Sequence, residues 1–144
     1  MAKEIRFVNR PHDVDGYRVV DDGEEIKQAL LNGETVMHWE FGNSMFPFLK
    51  SGEYCLIHPI NSPDEVNVGN PVFCTFKGAY HMVHRCTDKY ERDGITYYQI
   101  STTDGRVYGW TNEVWGVAES TNVFQEWTDE LQRVFSQSSS EESE

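Results

Sequence analysis

Ser44 is the residue of this 144-residue chain whose surroundings best suit nucleophilic chemistry. It lies in the segment 42–47, Gly-Asn-Ser-Met-Phe-Pro, directly after residues 35–41, whose alternating pattern is typical of a half-buried strand. Gly42 permits backbone angles closed to other residues and Pro47 opposes a helix here, so we expect Ser44 on a tight, exposed bend. A hydroxyl there can attack a bound chain while backbone amides face the developing oxyanion. Such residues also form ordinary turns, and a purely structural interpretation stays open.

His84 is the candidate general base. It lies in the second strand of a predicted hairpin, where alternation places it on one face with Met82 and Cys86 and places His81 and Arg85 on the other. A neutral imidazole can accept the serine proton because the ordinary histidine pKa lies close to operating pH. Either histidine could instead be a half-buried strand residue with no chemical role.

The composition restricts the kind of protein and partner. With 24 acidic against 12 basic residues the net charge is -12, which argues against nucleic acid as a partner. Three widely spaced cysteines in apolar runs, Cys55, Cys74 and Cys86, indicate buried thiols in a reducing compartment. The N-terminus has no signal-peptide pattern and no apolar run reaches membrane-spanning length, so we expect a cytoplasmic protein without a membrane partner.

The elements that must position Ser44 and His84 are a short helix and several strands. Residues 1–20 are expected to form an irregular arm that could include one edge strand. Asp22 and Glu25 form a capping-box pattern that begins a helix, which Gly33 ends. Strands are predicted at 35–41, 54–57, 71–76, 79–87, 95–101 and 114–118, with a loop at 59–69 and turns at Lys77-Gly78, Asp93-Gly94 and Asp104-Gly105.

The C-terminal part of the chain predicts a second helix followed by a tail. Apolar residues recur at helical spacing over residues 122–135, which predicts an amphipathic helix. We expect its apolar stripe to pack on the sheet, and a helix that binds a partner's groove is the alternative. Residues 136–144, nearly all serine and glutamate, should form a disordered acidic tail, which leaves 21–135 as the folded domain.

Four segments in this order resemble the LexA and type I signal peptidase superfamily of serine peptidases. They are Gly-Asn-Ser-Met-Phe-Pro at 42–47, Gly-Glu-Tyr at 52–54, Val-Gly-Asn-Pro-Val-Phe at 68–73, and Val-His-Arg-Cys at 83–86. Members of that superfamily show a Ser-Met-x-Pro box, a Gly-Asp, a Gly-Asp-Val-Val segment and a Lys-Arg or His-Arg segment. The resemblance covers about residues 24–118. It implies a mainly β fold of antiparallel sheets of the LexA and signal-peptidase catalytic-domain type, flanked by the two short helices.

Carried over residue by residue, the resemblance makes Ser44 the nucleophile and His84 the base. Histidine at this position is similar to the archaeal, endoplasmic-reticulum and sporulation types and to short members without a membrane anchor. Asp104 lies near the Lys-Gly-Asp segment of those enzymes, whose aspartate supports the dyad, although the lysine and the preceding glycine are absent here. Asp104 could therefore orient His84, or could be a turn aspartate.

The resemblance also sets the expected activity. Attack by Ser44 on a protein or peptide substrate would give an acyl-enzyme, with the backbone amides of Ser44 and Met45 holding the oxyanion and no metal or organic cofactor. The segment before the box lacks a helix-turn-helix, so a LexA-type repressor is not supported. The alternative is a binding, regulatory or structural assembly module that keeps the fold without turnover.

Overall fold

A computed structural model describes residues 13–14, 16–40, 45 and 47–124 of the chain. Over these ranges the chain is mainly β. The helix α1 spans Gly23–Leu31, a single 3-10 turn spans Pro63–Glu65, and the strands are β1 Asp13–Val14, β2 Tyr17–Arg18, β3 Val36–Trp39, β4 Glu53–Pro59, β5 Pro71–Phe76, β6 Tyr80–Arg92, β7 Ile95–Ser101, β8 Val107–Thr111 and β9 Val114–Phe124.

The strands β3 to β9 form one antiparallel sheet in the order β3-β4-β9-β5-β6-β7-β8. The last strand, β9, therefore lies between β4 and β5. The strands β1 and β2 form a separate two-stranded ribbon. After it, Val19 makes a parallel bridge to Met37, and Val19 and Val20 are buried, so the end of the N-terminal arm joins the core.

The tight turns confirm the hairpins that the sequence predicts. Lys77 and Gly78, between β5 and β6, have φ values of 53° and 70°. Asp93 and Gly94, between β6 and β7, have φ values of 53° and 80°. Two successive residues with positive φ are typical of the type I′ turn, whose twist matches that of the paired strands. Glycine in the second position of each pair removes the steric cost of that conformation.

The helix α1 begins and ends as its sequence predicts. The Asp22 side chain accepts a hydrogen bond from the backbone N–H of Glu25 at 3.0 Å, which caps the first turn. Its buried side chains are Ile26, Ala29 and Leu30, one helical stripe. Gly33 follows the helix with a φ of 81°, the left-handed conformation that commonly ends helices.

Alternation along the strands gives the sheet two apolar faces. On the face that α1 covers, here called the helix face, the buried cluster includes Cys55 and Ile57 of β4 and Phe73 of β5, and Val83 of β6 packs against it. The opposite face carries a cluster over β5 to β7 made of Val66, Val72, Cys74, Cys86, Tyr98, Ile100 and Val114. A third cluster, on β3 and β4, consists of Val19, Met37, Trp39, Tyr54 and Leu56.

The predicted helix at 122–135 is wrong at its first residues. Asn122, Val123 and Phe124 belong to β9, where Val123 lies opposite Tyr54 and packs against the third cluster. The Thr121 hydroxyl accepts a hydrogen bond from the backbone N–H of Val123 at 3.0 Å, which fixes the chain in a bulged strand. The rest of that predicted helix and the acidic tail lie outside the described residues.

Two further differences concern strand length and number. The strand β6 runs to Arg92, five residues beyond its predicted end, because it pairs with β7 along its second half. The short strand β8 was not predicted from the sequence. Within the described ranges, no helix combines the length and the apolar character needed to cross a membrane.

Candidate functional site

His84 is a buried residue of β6. It is 8% exposed and sits directly opposite Val72 of β5. The residues two positions away on either side, Met82 and Cys86, belong to the cluster opposite the helix face, so His84 points to that side as the alternation predicted. Its Nδ1 atom is buried and has no hydrogen-bond partner among the described residues.

Burial sets the ionisation of His84. Loss of contact with water disfavours the imidazolium, so the pKa of His84 is lowered from the ordinary histidine value of 6.5. The ring is therefore neutral near pH 7. A neutral imidazole with an unpartnered nitrogen can accept a proton, which is what a general base must do.

Ser44 lies outside the described residues, as do residues 41–43 and 46. The contact between Ser44 and His84 stays a prediction. Met45, the second predicted oxyanion residue, is buried in the helix-face cluster together with Leu49. The backbone carbonyl of Met45 accepts a hydrogen bond from Leu49 N at 2.9 Å.

The loop that carries Ser44 connects β3 to β4, and two backbone hydrogen bonds close its base. Glu40 N donates to the Glu53 carbonyl at 2.8 Å, and Gly52 N donates to the Glu40 carbonyl at 2.7 Å. These bonds extend the β3–β4 ladder by one step. They fix the points at which residues 41–51 leave and rejoin the sheet.

Glu53 is a fully buried carboxylate at this base, with 0% exposure. One carboxylate oxygen accepts a hydrogen bond from Lys50 N at 3.0 Å. The other accepts from the Ser120 hydroxyl and from Asn122 N, the latter at 3.2 Å. One side chain therefore joins the end of the loop to the bulge of β9. No cation among the described residues is paired with it.

Beside Glu53, three further ionisable groups lie close together. His38 Nδ1 lies 3.2 Å from an Asp21 carboxylate oxygen and His38 Nε2 lies 3.9 Å from a Glu40 oxygen. Burial alone would lower the pKa of His38, but the hydrogen bond and charge of Asp21, with the charge of Glu40, raise it overall. Burial raises the pKa of Glu40, and the nearby Glu53 adds to that shift while His38 opposes it. His38 and Glu40 therefore influence each other's ionisation through their charges.

The described end of the Ser44 loop contacts the helix face of β6. The Arg85 guanidinium lies over the Phe48 ring, with its carbon 5.1 Å from the ring centroid, a cation–π arrangement. Because side chains alternate along a strand, Arg85 and His84 point to opposite sides of β6. The described contacts of the loop are therefore on the side of β6 away from His84.

Asp104 occupies the tight turn between β7 and β8. It is exposed, and its carboxylate accepts hydrogen bonds from the Thr102 hydroxyl and from Arg106 N. The Thr102 hydrogen bond is the main reason that the pKa of Asp104 is lowered. No hydrogen bond joins Asp104 to His84 in the described part of the chain, and the predicted orienting role stays a prediction.

His81 is held in a structural network on the helix face. Its Nδ1 lies 2.8 Å from the Thr75 hydroxyl, which also accepts a hydrogen bond from Trp115 Nε1 at 2.8 Å. Its Nε2 lies 3.1 Å from Glu24 of α1, and because a carboxylate can only accept, Nε2 carries the proton. The ring also stacks on Phe73. His81 therefore ties α1 to the sheet.

Sequence reasoning missed two residues at this site. Glu53 gave a partial signal, since it stands where the superfamily that the chain resembles has the aspartate of a Gly-Asp, but its burial depends on a bulge in β9 around Asn122, 69 positions along the chain. Tyr108, whose ring stacks on His84, gave none because the strand that carries it was not predicted. No three His, Cys, Asp or Glu side chains among the described residues are placed to hold a metal ion.

Comparisons with protein-family models, with curated proteins and with solved structures found no match.

Proposed function

We propose that this chain is a serine peptidase of the LexA and signal-peptidase type, in which Ser44 attacks a peptide bond and His84 accepts its proton. The observation that carries the proposal is the state of His84, a buried and neutral imidazole with an unpartnered nitrogen. Most buried side-chain nitrogens have a hydrogen-bond partner, so the unpartnered Nδ1 of His84 is consistent with a nitrogen kept open for a proton. The Ser-Met-x-Pro pattern supplies the nucleophile in the same chain.

In the proposed reaction, the Ser44 oxygen bonds to the substrate carbonyl carbon as its proton passes to His84. Backbone amides of Ser44 and Met45 stabilise the oxyanion, and the imidazolium then protonates the leaving amine, which gives the acyl-enzyme. Water, activated by the same imidazole, hydrolyses the ester. Asp104 could assist only by exchanging its Thr102 hydrogen bond for one to His84. The three buried free thiols fit the cytoplasmic location that we propose.

A fluorophosphonate probe, which reacts with activated serines, tests this proposal. We expect the native chain to be labelled, Ser44→Ala to be unlabelled, and His84→Ala to be labelled at least about 100-fold more slowly, the usual contribution of a general base. Labelling should fall as the pH drops and His84 becomes protonated. The matched control is Ser51→Ala in the same loop, which should label like the native chain. No labelling of the native chain, or equal labelling of Ser44→Ala, would refute the dyad.

A second function, peptide binding without turnover, is favoured by an aromatic patch that is partly exposed. We define this patch as Tyr90, Tyr97 and Trp110, where the ring centroid of Tyr90 lies 5.3 Å from that of Tyr97 and 5.0 Å from that of Trp110. Tyr90 and Trp110 are exposed, and Trp110 belongs to β8, which is the end strand of the sheet in the described part of the chain. An end strand with exposed aromatic residues can pair with an extended peptide. The charge of -12 favours a basic one.

Calorimetric titration with two ten-residue peptides tests the binding function. One alternates lysine with valine and the other alternates glutamate with valine. We expect only the lysine peptide to bind, and Trp110→Ala to weaken its affinity about tenfold or more. The control is Leu31→Ala, an exposed apolar residue at the end of α1. Equal binding of both peptides, or no effect of Trp110→Ala, would exclude this function.

A further inference from the structure

A β-bulge in β8 places Tyr108 out of the normal alternation. In the pairing of β7 with β8, Ile100 lies opposite Gly109 and Ser101 lies opposite Val107, so Tyr108 has no opposite residue. An extra residue of this kind redirects its side chain and bends the strand. The bulge therefore determines where the Tyr108 ring points.

The Tyr108 ring lies on His84. The two ring centroids are 4.8 Å apart and the planes are inclined by 24°, a stacked arrangement. Tyr108 is 49% exposed while His84 is 8% exposed, so the tyrosine lies between the imidazole and the solvent. Because His84 Nδ1 has no hydrogen-bond partner among the described residues, the stacked Tyr108 ring is a contact that restricts the orientation of the imidazole.

We propose that Tyr108 is a positioning residue for His84, which holds the imidazole ring in place and keeps water away from it. The inference deepens the proposed function, since it concerns the proposed base. Its test does not depend on that function, because the ionisation of His84 can be measured directly.

The surroundings of His84 indicate that burial, and not a nearby charge, lowers its pKa. From β5 it meets Val72, and along its own face of β6 it has Met82 and Cys86 as neighbours. The titratable groups there are the Cys86 thiol, whose pKa burial raises, and the Tyr108 phenol. Burial alone accounts for the lowered pKa of His84. Removal of the aromatic cover should therefore raise that pKa towards the ordinary histidine value.

NMR titration of the His84 ring provides the test, with its signal assigned by loss in His84→Asn. We expect Tyr108→Ala to raise the pKa of His84 and Tyr108→Phe, which keeps the ring, to leave it at the native value. The matched control is Trp110→Ala, two residues along the same strand and against Tyr90 instead. Trp110→Ala should also leave the pKa of His84 at its native value. Amide spectra establish that each variant is folded, and Tyr108→Leu replaces the alanine variant if that variant unfolds.

An unchanged His84 pKa in the folded Tyr108→Ala or Tyr108→Leu variant overturns the inference. An equal rise in Trp110→Ala also overturns it, because the effect would then be general to β8. If the native chain is not labelled by the fluorophosphonate probe but Tyr108→Ala still raises the His84 pKa, the peptidase proposal fails and the positioning role stands. If the native chain is labelled normally but Tyr108→Ala leaves the pKa of His84 unchanged, the positioning role fails and the peptidase proposal stands.

Discussion

Replacement of Glu53 by alanine should destabilise the domain more than replacement of any surface glutamate. The carboxylate is fully buried and accepts hydrogen bonds from Lys50 N, the Ser120 hydroxyl and Asn122 N. In Glu53→Ala these three donors lose their acceptor. Lys50, Ser120 and Asn122 are all exposed residues, so each donor can turn to water once the carboxylate is gone, and the loss is that of three hydrogen bonds to a buried acceptor.

The expected loss follows from these contacts. Each of the three hydrogen bonds contributes about 0.5 to 1.5 kcal/mol net, which gives roughly 1.5 to 4.5 kcal/mol in total. Relief of the repulsion between Glu53 and Glu40 reduces that figure, so we expect the free energy of unfolding to fall by roughly 1 to 4 kcal/mol. Glu53→Gln keeps one acceptor oxygen and should lose less than the alanine variant.

Urea unfolding followed by tryptophan fluorescence measures this loss. With an m value of about 2 kcal/mol per molar, the midpoint should drop by roughly 0.5 to 2 M. The matched control is Glu119→Ala on the neighbouring strand β9, whose exposed carboxylate lies 3.1 Å from His58 Nε2 and should contribute under about 0.5 kcal/mol. A Glu53→Ala midpoint within 0.3 M of the Glu119→Ala midpoint, a margin of roughly half a kcal/mol, would refute the reasoning.

Three other changes test separate parts of the structure. Gly116→Ala should lower the melting temperature sharply, since the new Cβ would lie 2.6 Å from the His58 carbonyl oxygen; an unchanged melting temperature would contradict the packing. Asp104→Asn should lower the melting temperature at pH 7 but not near about pH 2. The hydrogen bond from Thr102 is the main cause of the lowered pKa of Asp104, and a carboxylate with a lowered pKa contributes stability only above that pKa. Burial raises the pKa of Cys74 to about 12, so iodoacetamide should modify it only in urea, as mass spectrometry would show.

The sequence was most informative where local geometry demands particular residues. Lys77-Gly78 and Asp93-Gly94 were predicted as turns because each precedes or joins strand-like runs and ends in glycine, which adopts a positive φ without steric cost. The start of α1 at Asp22 was equally clear, since a carboxylate there satisfies a free N–H group. These features depend on neighbours within a few residues, and single-sequence patterns describe such neighbours well.

Sequence patterns failed where distant parts of the chain decide the outcome. Val123 and Phe124 continue a helical spacing, yet pairing with β4 and hydrogen bonds from the bulge draw them into β9. The strand β8 is short and contains Gly109, which lies close to the Phe76 ring and which weakens any strand pattern.

The candidate site shows the same limit. Alternation correctly placed His84 and Arg85 on opposite sides of β6, since no bulge interrupts the strand between Tyr80 and Cys86. It could not place Tyr108, because one inserted residue reverses which side of a strand each side chain faces. Such insertions leave no local pattern, and the cover over His84 became visible only in three dimensions.

The position of β9 in the sheet has a consequence for how the protein is made. Among the described strands β9 comes last in the chain, and it pairs with both β4 and β5, so the units β3–β4 and β5–β8 of the described sheet cannot join before it is synthesised. Closure of the sheet is therefore a late, long-range event, which makes folding slower than hairpin formation alone. A nascent chain halted on the ribosome before Val114 would expose two open strand edges, the condition under which incomplete β-proteins aggregate or require chaperones.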